Sequence, residues 1–214
     1  MRTRVLLVDD HAILRSGLRM LLNTQPDIQI VGEAANGREA IQQTHHLCPD
    51  VIVLDLAMPE LNGIEAIPQI RAVCPAAQFV ILSMYFSAEH VFRAFQAGAL
   101  GYVLKESADV ELFQAIRSVR TGQQYVSERA AETLLGASLA EDQDKSPLER
   151  LSAREREILQ LTVEGKSSPE IALILSLSRK TVETYRTRIM RKLGLHDLIS
   201  LLRFAIKHGL TPLD

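Results

Sequence analysis

The sequence predicts an α/β domain with a doubly wound parallel sheet, followed by a small all-α domain. In the first part, short apolar runs rich in Val, Ile and Leu alternate with amphipathic helical patterns, which is typical of a parallel sheet covered on both faces. After residue 146 only helical patterns follow. Charge divides the chain at the same place, because residues 146–214 contain 12 Lys and Arg against 8 Asp and Glu, whereas the whole chain has a formal charge of −2.

Composition limits the class of protein. The 214 residues are 47% hydrophobic and 23% charged, enough to fill two cores. No apolar run is long enough to span a membrane, and acidic residues follow the N-terminus too soon for a signal peptide, so we expect a cytoplasmic protein with no membrane partner. Cys48 and Cys74 belong to no CxxC motif or Cys/His cluster, so we expect reduced core thiols rather than a disulfide or a zinc site.

Five strands are predicted in the first part of the chain. They cover residues 5–8, 28–34, 51–54, 79–82 and 102–104. Between them, apolar residues recur at spacings of three and four, as in Ile13, Leu14, Leu18 and Leu21, which predicts intervening helices. Right-handed crossovers then give a doubly wound five-stranded sheet, whose ligands bind beyond the carboxyl ends of the strands.

Polar residues stand at the ends of four of these strands. Asp9 and Asp10 follow the first, Asp55 ends the third, Ser83 follows the fourth and Lys105 follows the fifth. Three carboxylates at one sheet edge would repel one another without a cation, and hard oxygen ligands suit Mg²⁺. Taken singly, the first two acids are equally well explained as helix caps and the lysine as a solvated charge. Their convergence on one edge indicates a site.

The motifs LLVDDH, VIVLDLAMPELNG, ILSMY and GYVLK resemble the signature of the receiver domain of two-component response regulators. The resemblance covers about residues 3–122 and implies the flavodoxin-like strand order 2-1-3-4-5. It implies transfer of a phosphoryl group from the phosphohistidine of a sensor histidine kinase to Asp55, while Lys105 neutralises charge on the transferred group. Mg²⁺ would be held by Asp9, Asp10, Asp55 and the carbonyl of Ala57.

The same resemblance assigns a switch to Ser83 and Tyr102. The Ser83 hydroxyl would donate a hydrogen bond to a phosphoryl oxygen, and its movement would vacate space into which Tyr102 turns. The change would reach the surface formed by the fourth helix, the fifth strand and the fifth helix. Without a switch, Tyr102 is explained as a half-buried strand aromatic.

Residues 123–147 are predicted to be a linker that contains a helix. The segment YVSERAAETLLGASL predicts a helix that starts near Ser127. Apolar periodicity then fades into small and charged residues before Pro147. The linker separates the predicted domains, residues 1–122 and 148–214.

Four helical patterns fill residues 148–214. Only Ser176 and Leu177 separate the second from the third, an arrangement typical of a helix-turn-helix. Serines mark the helix starts and glycines the helix ends. These boundary residues are Ser152 (in a capping box with Glu155), Ser168 (before Pro169) and Ser178 at the starts, and Gly165, Gly194 and Gly209 at the ends.

The third of these helices has an apolar and a cationic face. Val182, Ile189 and Leu193 fall on one side at the 3.6-residue period. A charged face alone is better explained as solvated surface, but on the second helix of a helix-turn-helix it favours insertion into the major groove of double-stranded DNA. The polar residues opposite the core are Lys180, Thr184, Thr187 and Arg191.

Residues 151–209 resemble the LuxR-type DNA-binding domain, through LSAREREIL, EGKS, EIA and TVETYRTRIMRKLGL. Together with the receiver motifs, the chain resembles NarL/FixJ-family response regulators, which implies a transcription factor that dimerises and binds DNA after phosphorylation. The resemblance assigns base contacts to Glu183, Thr184 and Thr187, with Arg191 as a further source of specificity, and phosphate contacts to Lys180, Thr181, Tyr185, Arg188 and Lys192. It assigns homodimerisation to Leu198, Leu201, Leu202 and Ala205.

Two other classes of protein fit parts of the sequence. A hydrolase that forms an aspartyl-phosphate would use the same acids, but it needs a second acid two residues after the nucleophile, where this chain has Ala57. We therefore expect no activity on external substrates, only phosphoryl acceptance and slow self-dephosphorylation. A receiver with an RNA-binding or protein-binding output is the other class, and strongly salt-dependent binding to duplex DNA would exclude it.

Overall fold

The computed structural model describes residues 2–84, 87–131, 146–208 and 210, and it contains a parallel-sheet domain followed by a helical domain. The strands are β1 (Thr3–Val8), β2 (Ile28–Ala34), β3 (Val51–Asp55), β4 (Gln78–Ser83), β5 (Gly101–Leu104) and β6 (Tyr125–Val126). The helices of this domain are α1 (Ala12–Leu22), α2 (Gly37–Leu47), α3 (Gly63–Val73), α4 (Ala88–Ala97) and α5 (Ala108–Arg120).

The sheet has the order β2-β1-β3-β4-β5-β6, and all neighbouring strands are parallel. The order predicted for the first five strands is confirmed. The prediction of only five strands is wrong, because β6 pairs Tyr125 with Gly101 and Val126 with Tyr102. A strand of two residues is too short to show alternation in the sequence.

Every residue of β3 is buried, as expected for a central strand covered by helices on both faces. Ile52 and Leu54 belong to one apolar cluster, and Val51 and Val53 belong to the other. This alternation follows from the period of two along a strand. The two clusters fix β3 from both sides, so the residue at its carboxyl end, Asp55, has a well-defined position.

The loop after β3 is packed tightly onto the end of that strand. A Cβ atom on Gly63 would lie 2.2 Å from the carbonyl oxygen of Asp55, so no larger residue fits there. The Gly63 N–H donates to the Leu56 carbonyl at 3.0 Å, and Asn62 caps α3 by accepting from Glu65 N at 3.0 Å. The loop is thus closed at both of its ends.

Cys48 and Cys74 form a disulfide, with their Cα atoms 5.7 Å apart. Cys48 follows α2 and Cys74 follows α3, and these two helices pack side by side. The expectation of two reduced thiols is therefore wrong. Sequence spacing alone did not reveal that two helix ends meet at this point.

The helical domain contains α6 (Ala153–Val163), α7 (Ser168–Ile174), α8 (Arg179–Leu193) and α9 (Leu198–Lys207). The predicted capping box of Ser152 and Glu155 is confirmed, and Ser178 caps α8. The cap of α7 is Ser167 rather than Ser168, because Ser167 and Glu170 form a second capping box. Gly209 lies outside the described residues.

The segment between the domains is described only in part. Residues 128–131 are helical, and Ala131 N donates to the Ser127 carbonyl at 2.9 Å, in agreement with a helix that starts near Ser127. The rest of the predicted linker, residues 132–145, lies outside the described residues. Across the described ranges, we find no helix with the length and apolar character needed to cross a membrane.

Candidate metal centre and nucleic-acid interface

An acidic cluster lies at the carboxyl edge of the sheet. Because β1 and β3 are neighbouring parallel strands, Asp9, Asp10 and Asp55 meet at their ends, as predicted. Ligand atoms of these residues and of His11 all lie within 4.8 Å of one another. His11 was not predicted as part of the site. It precedes α1 as its N-cap, and its imidazole Nδ1 lies 2.9 Å from Asp10 Oδ1.

Lys105 connects two of these acids. Its Nζ atom lies 2.7 Å from Asp55 Oδ2 and 2.8 Å from Asp9 Oδ2, and all three side chains are buried. The side chain follows β5, so it crosses the end of β4 to reach the end of β3. The predicted convergence of strand ends therefore includes this ammonium group.

One ammonium does not neutralise three carboxylates. Burial raises the pKa of Asp55 to about 7; Lys105 opposes this rise, whereas Asp9 and Asp10 add to it. The pKa of Lys105 is raised, because its contacts with Asp55 and Asp9 outweigh burial. The site therefore keeps a negative charge that a metal ion would neutralise. Buried carboxylate oxygens are the donors that a hard divalent cation prefers, so the cluster fits such an ion.

The two predicted switch residues lie next to each other in the interior. Ser83, at the end of β4, is buried, and Tyr102 in β5 is completely buried. Burial raises the pKa of Tyr102 to about 12, although a hydrogen bond with Ser83 lowers it. The structure differs here from the expectation of a Tyr102 that turns inward, because this side chain already lies inside.

Helix α8 presents a polar, cationic face to solvent. Val182 and Ile189 are buried in the core of the helical domain, as predicted. The Thr184 and Thr187 hydroxyls donate to the backbone carbonyls of Lys180 and Glu183, and both threonines are exposed. The exposed residues are Lys180, Glu183, Thr184, Thr187, Arg188 and Arg191, whereas Thr181 and Tyr185 are half-buried.

Lys192 has a different surrounding from the one predicted. Its Nζ atom lies 2.6 Å from Glu155 Oε2, and the Glu155 carboxylate is buried in the helical domain. Burial would raise the pKa of Glu155, but the hydrogen bonds from Lys192 and Ser152 prevail and lower it. Lys192 thus forms an ion pair between α8 and α6, and because its side chain is still 35% exposed, its assignment to a DNA phosphate stays a prediction.

Replacing Lys192 with alanine is expected to destabilise the helical domain by about 1–3 kcal/mol, because a buried carboxylate would lose its charged partner. Thermal unfolding followed by circular dichroism measures the effect. Arg188→Ala is the matched control on the same helix, since the Arg188 side chain is exposed, and it should leave stability nearly unchanged. Equal stability of the two variants would contradict the assignment.

Of the four residues of α9 assigned to dimerisation, two are buried and two are exposed. Leu201 and Ala205 are buried in the core of the domain, so these two assignments are corrected. Leu198 and Leu202 remain exposed, by 56% and 38%, together with Ile199 at 66%. Ile199 was not predicted. It extends the exposed apolar strip of α9.

The helical domain is docked on the parallel-sheet domain through α6 and the end of α9. Arg156 Nε lies 2.6 Å from Glu65 Oε1 of α3, and His208 Nδ1 lies 2.9 Å from Glu89 Oε1 of α4. Among the residues that the structure describes, no side-chain hydrogen bond or ion pair joins the exposed residues of α8 to the parallel-sheet domain. These residues, which carry the cationic face, are therefore left open to solvent.

Comparison with known proteins agrees with this two-domain architecture. A family model described as response regulator receiver domain matches residues 5–117, and a model described as bacterial regulatory proteins, luxR family, matches residues 149–205. Response regulator UvrY of Escherichia coli (strain K12) is 36% identical over 206 residues, which cover 96% of this chain and 94% of that protein. Oxygen regulatory protein NreC of Staphylococcus aureus (strain JH9) is 38% identical over 213 residues, which cover 97% and 98%.

A solved complex of the response regulator RcsB with DNA has the same fold. It is 27% identical to this chain with a TM-score of 0.60, and the match covers 97% of this chain and 99% of that one. The matched family models, the relatives and the fold agree over nearly the whole length. This chain belongs to the NarL/FixJ family of two-component response regulators, with a receiver domain followed by a LuxR-type DNA-binding domain.

Proposed function

We propose that this response regulator accepts a phosphoryl group on Asp55 from a partner sensor histidine kinase and then regulates transcription by binding double-stranded DNA. The observation that carries the proposal is the position of Asp55. It is buried at the end of β3, within hydrogen-bonding distance of Lys105 and beside two further carboxylates. Phosphoryl acceptance on Asp55, from the kinase or from a small donor, and slow self-dephosphorylation are the only reactions that we propose.

The side chains divide the chemistry among them. A carboxylate oxygen of Asp55 is the nucleophile, and Lys105 neutralises charge on the oxygens of the incoming group. Mg²⁺ is the cation we propose, held by Asp9, Asp10, Asp55 and the Ala57 carbonyl, and when bound it supplies the remaining positive charge. Ser83, buried at the end of the next strand, is the proposed donor of a hydrogen bond to the transferred group.

DNA is the proposed output partner because the exposed face of α8 is cationic. RcsB has been solved as a complex with DNA, and its fold matches this chain over nearly its whole length. Lys180, Arg188 and Arg191 face solvent on the second helix of the helix-turn-helix, the element that such domains insert into the major groove. Thr184 and Thr187, which lie between Lys180 and Arg188 on this helix, are the proposed base contacts.

Substitutions on this face should separate affinity from specificity. Arg188→Ala is expected to weaken binding almost uniformly across sequences and to lower the salt dependence by about one counterion, because this side chain would meet a phosphate. Thr184→Ala and Thr187→Ala are expected to change sequence preference. Fluorescence anisotropy on a set of duplexes at several salt concentrations measures both effects. Identical behaviour of all three variants would contradict the assignment.

We propose that phosphorylation shifts the protein towards homodimers. The exposed Leu198, Ile199 and Leu202 of α9 form the proposed contact between DNA-binding domains. The exposed α8 disfavours an alternative route in which the receiver masks the recognition helix. Docking instead occupies α4, so separation of the domains would free that surface for a second copy. We propose a cytoplasmic location because the DNA partner lies there.

Selection of bound sequences from random duplexes tests the output. Protein phosphorylated with acetyl phosphate is expected to enrich two half-sites about one helical turn apart, as symmetric dimers of this class do. Single-stranded RNA of random sequence should bind more weakly at the same salt concentration. Tighter binding to RNA, or no enrichment of any duplex, would contradict the proposal.

A further inference from the structure

Gln160 of α6 reaches across the interface and binds the backbone of the loop that follows Asp55. Its Nε2 donates to the Met58 carbonyl at 2.7 Å, and its Oε1 accepts from Asn62 N and from Asn62 Nδ2, both at 3.0 Å. Nε2 also donates to Glu164 Oε1 at 2.8 Å. The amide therefore uses both N–H groups and both oxygen lone pairs, and the side chain is completely buried.

Glu164, one turn after Gln160 at the C-terminal end of α6, binds the backbone in the middle of this loop. Its carboxylate accepts from Glu60 N at 3.0 and 3.2 Å. Glu60 has a φ of 65°, a left-handed conformation that a residue with a side chain seldom adopts without support. Residues 58, 60 and 62 are thus all fixed by the DNA-binding domain.

Further polar contacts join the two domains. Arg156 Nε lies 2.6 Å from Glu65 Oε1, Arg93 Nη1 donates to the His208 carbonyl at 3.1 Å, and Gln69 Nε2 donates to Glu157 Oε1 at 2.6 Å. Polar interfaces of this kind between domains resemble transient ones. The two domains can therefore separate, and water can replace the contacts of the loop when they do.

We propose that Gln160 and Glu164 are positioning residues for the phosphoacceptor loop, and that docking of the DNA-binding domain slows phosphorylation of Asp55. This inference rests on the proposed function. It differs from masking of the recognition helix, because the docked surface is α6 and its target is the backbone next to the reacting carboxylate.

The sign of the effect follows from geometry and charge. The Met58 carbonyl is held by α6, and it adjoins the Ala57 carbonyl, a proposed Mg²⁺ ligand, so docking restricts the movement of that ligand. Docking also places the Glu164 carboxylate against a loop that an anionic donor must approach. Both contacts favour the present loop over one that is drawn towards a metal and a phosphoryl group. By linkage, phosphorylation then disfavours docking to the same extent.

The test compares full-length proteins labelled with acetyl phosphate and Mg²⁺. Gln160→Ala leaves the Met58 carbonyl and the Asn62 N–H without partners in the docked form, so it favours separation of the domains. We expect its labelling rate to exceed that of the unsubstituted protein by about fivefold or more. Calorimetry without donor should show tighter Mg²⁺ binding. Gln160→Glu, which keeps the acceptor for Asn62 but not the donor to Met58, should also label faster.

Gln42→Ala, the same change on the exposed face of α2, is the matched control and should label at the unsubstituted rate. Simple damage to the receiver would slow labelling, so a faster rate identifies positioning rather than loss of structure. Unchanged or slower labelling of both Gln160 variants, with unchanged Mg²⁺ affinity, overturns the inference. If the unsubstituted protein takes up no phosphoryl group, the proposed function itself fails.

Discussion

Asp55→Asn is expected to abolish phosphoryl incorporation from acetyl phosphate or phosphoramidate. The amide has no carboxylate oxygen to act as nucleophile, yet it fits the same space at the end of β3. Intact-protein mass spectrometry should find one added phosphoryl group on the unsubstituted chain and none on the variant. Removal of Mg²⁺ with EDTA should have nearly the same effect, because the remaining carboxylates repel an anionic donor.

Asp109→Asn provides the matched control for this experiment. Asp109 lies exposed in the first turn of α5 and is not a member of the acidic cluster, so the control should be labelled normally. Equal labelling of the Asp55 variant would show that another residue accepts the group. The assignment of the whole cluster would then have to change, since Lys105 is aimed at Asp55.

The same substitution is expected to stabilise the metal-free receiver at pH 8. The folded protein holds the Asp55 proton up to a pKa of about 7, whereas the ordinary pKa of an aspartate carboxyl is 3.8. The folded state therefore binds more protons than the unfolded state between these values, and stability falls as the pH rises through this range. Above a pH of about 7, ionisation of Asp55 lowers the free energy of unfolding by as much as about 4 kcal/mol. Asp55→Asn removes the ionisable group and should restore this stability.

Urea unfolding in EDTA at two pH values measures this difference. The stabilisation by Asp55→Asn should shrink to about half at pH 5.5, because much of the cost of ionising Asp55 is then absent. Mg²⁺ at pH 8 should stabilise the unsubstituted protein more than the variant. A variant whose gain is the same at both pH values would show that the Asp55 pKa lies near its usual range.

Much of the acidic site could be predicted from sequence, because strand order alone decides which chain ends meet. Asp9 and Asp55 are 46 positions apart, but each ends a buried strand of one parallel sheet, so they must lie side by side. The β5 end adds Lys105 for the same reason. His11 escaped prediction because its ring position depends on the local turn before α1, for which the sequence has no periodic signal.

Contacts between separate elements were harder to predict. Gln160 is a polar residue on an amphipathic helix, and burial of such a side chain depends on a partner surface that its own helix does not encode. The same holds for Lys192, to which the family resemblance assigned a phosphate contact and which Glu155 of another helix binds. Leu201 and Ala205 are the opposite case, because they were assigned to a surface but lie in the core of their own domain. An apolar stripe in a sequence does not show which of its residues the same domain covers.

The solvent-facing α8 of the docked chain has a consequence for unmodified molecules. If the proposed phosphate contacts form in that state, the exposed cationic helix would bind the backbone of any duplex, and proteins bound in that way slide and hop along DNA. A signal would then reach molecules already travelling on the chromosome and convert a moving monomer into a pair that stops at matched half-sites. The speed of the response would be set by the meeting of two copies on one duplex, rather than by diffusion from free solution to the operator.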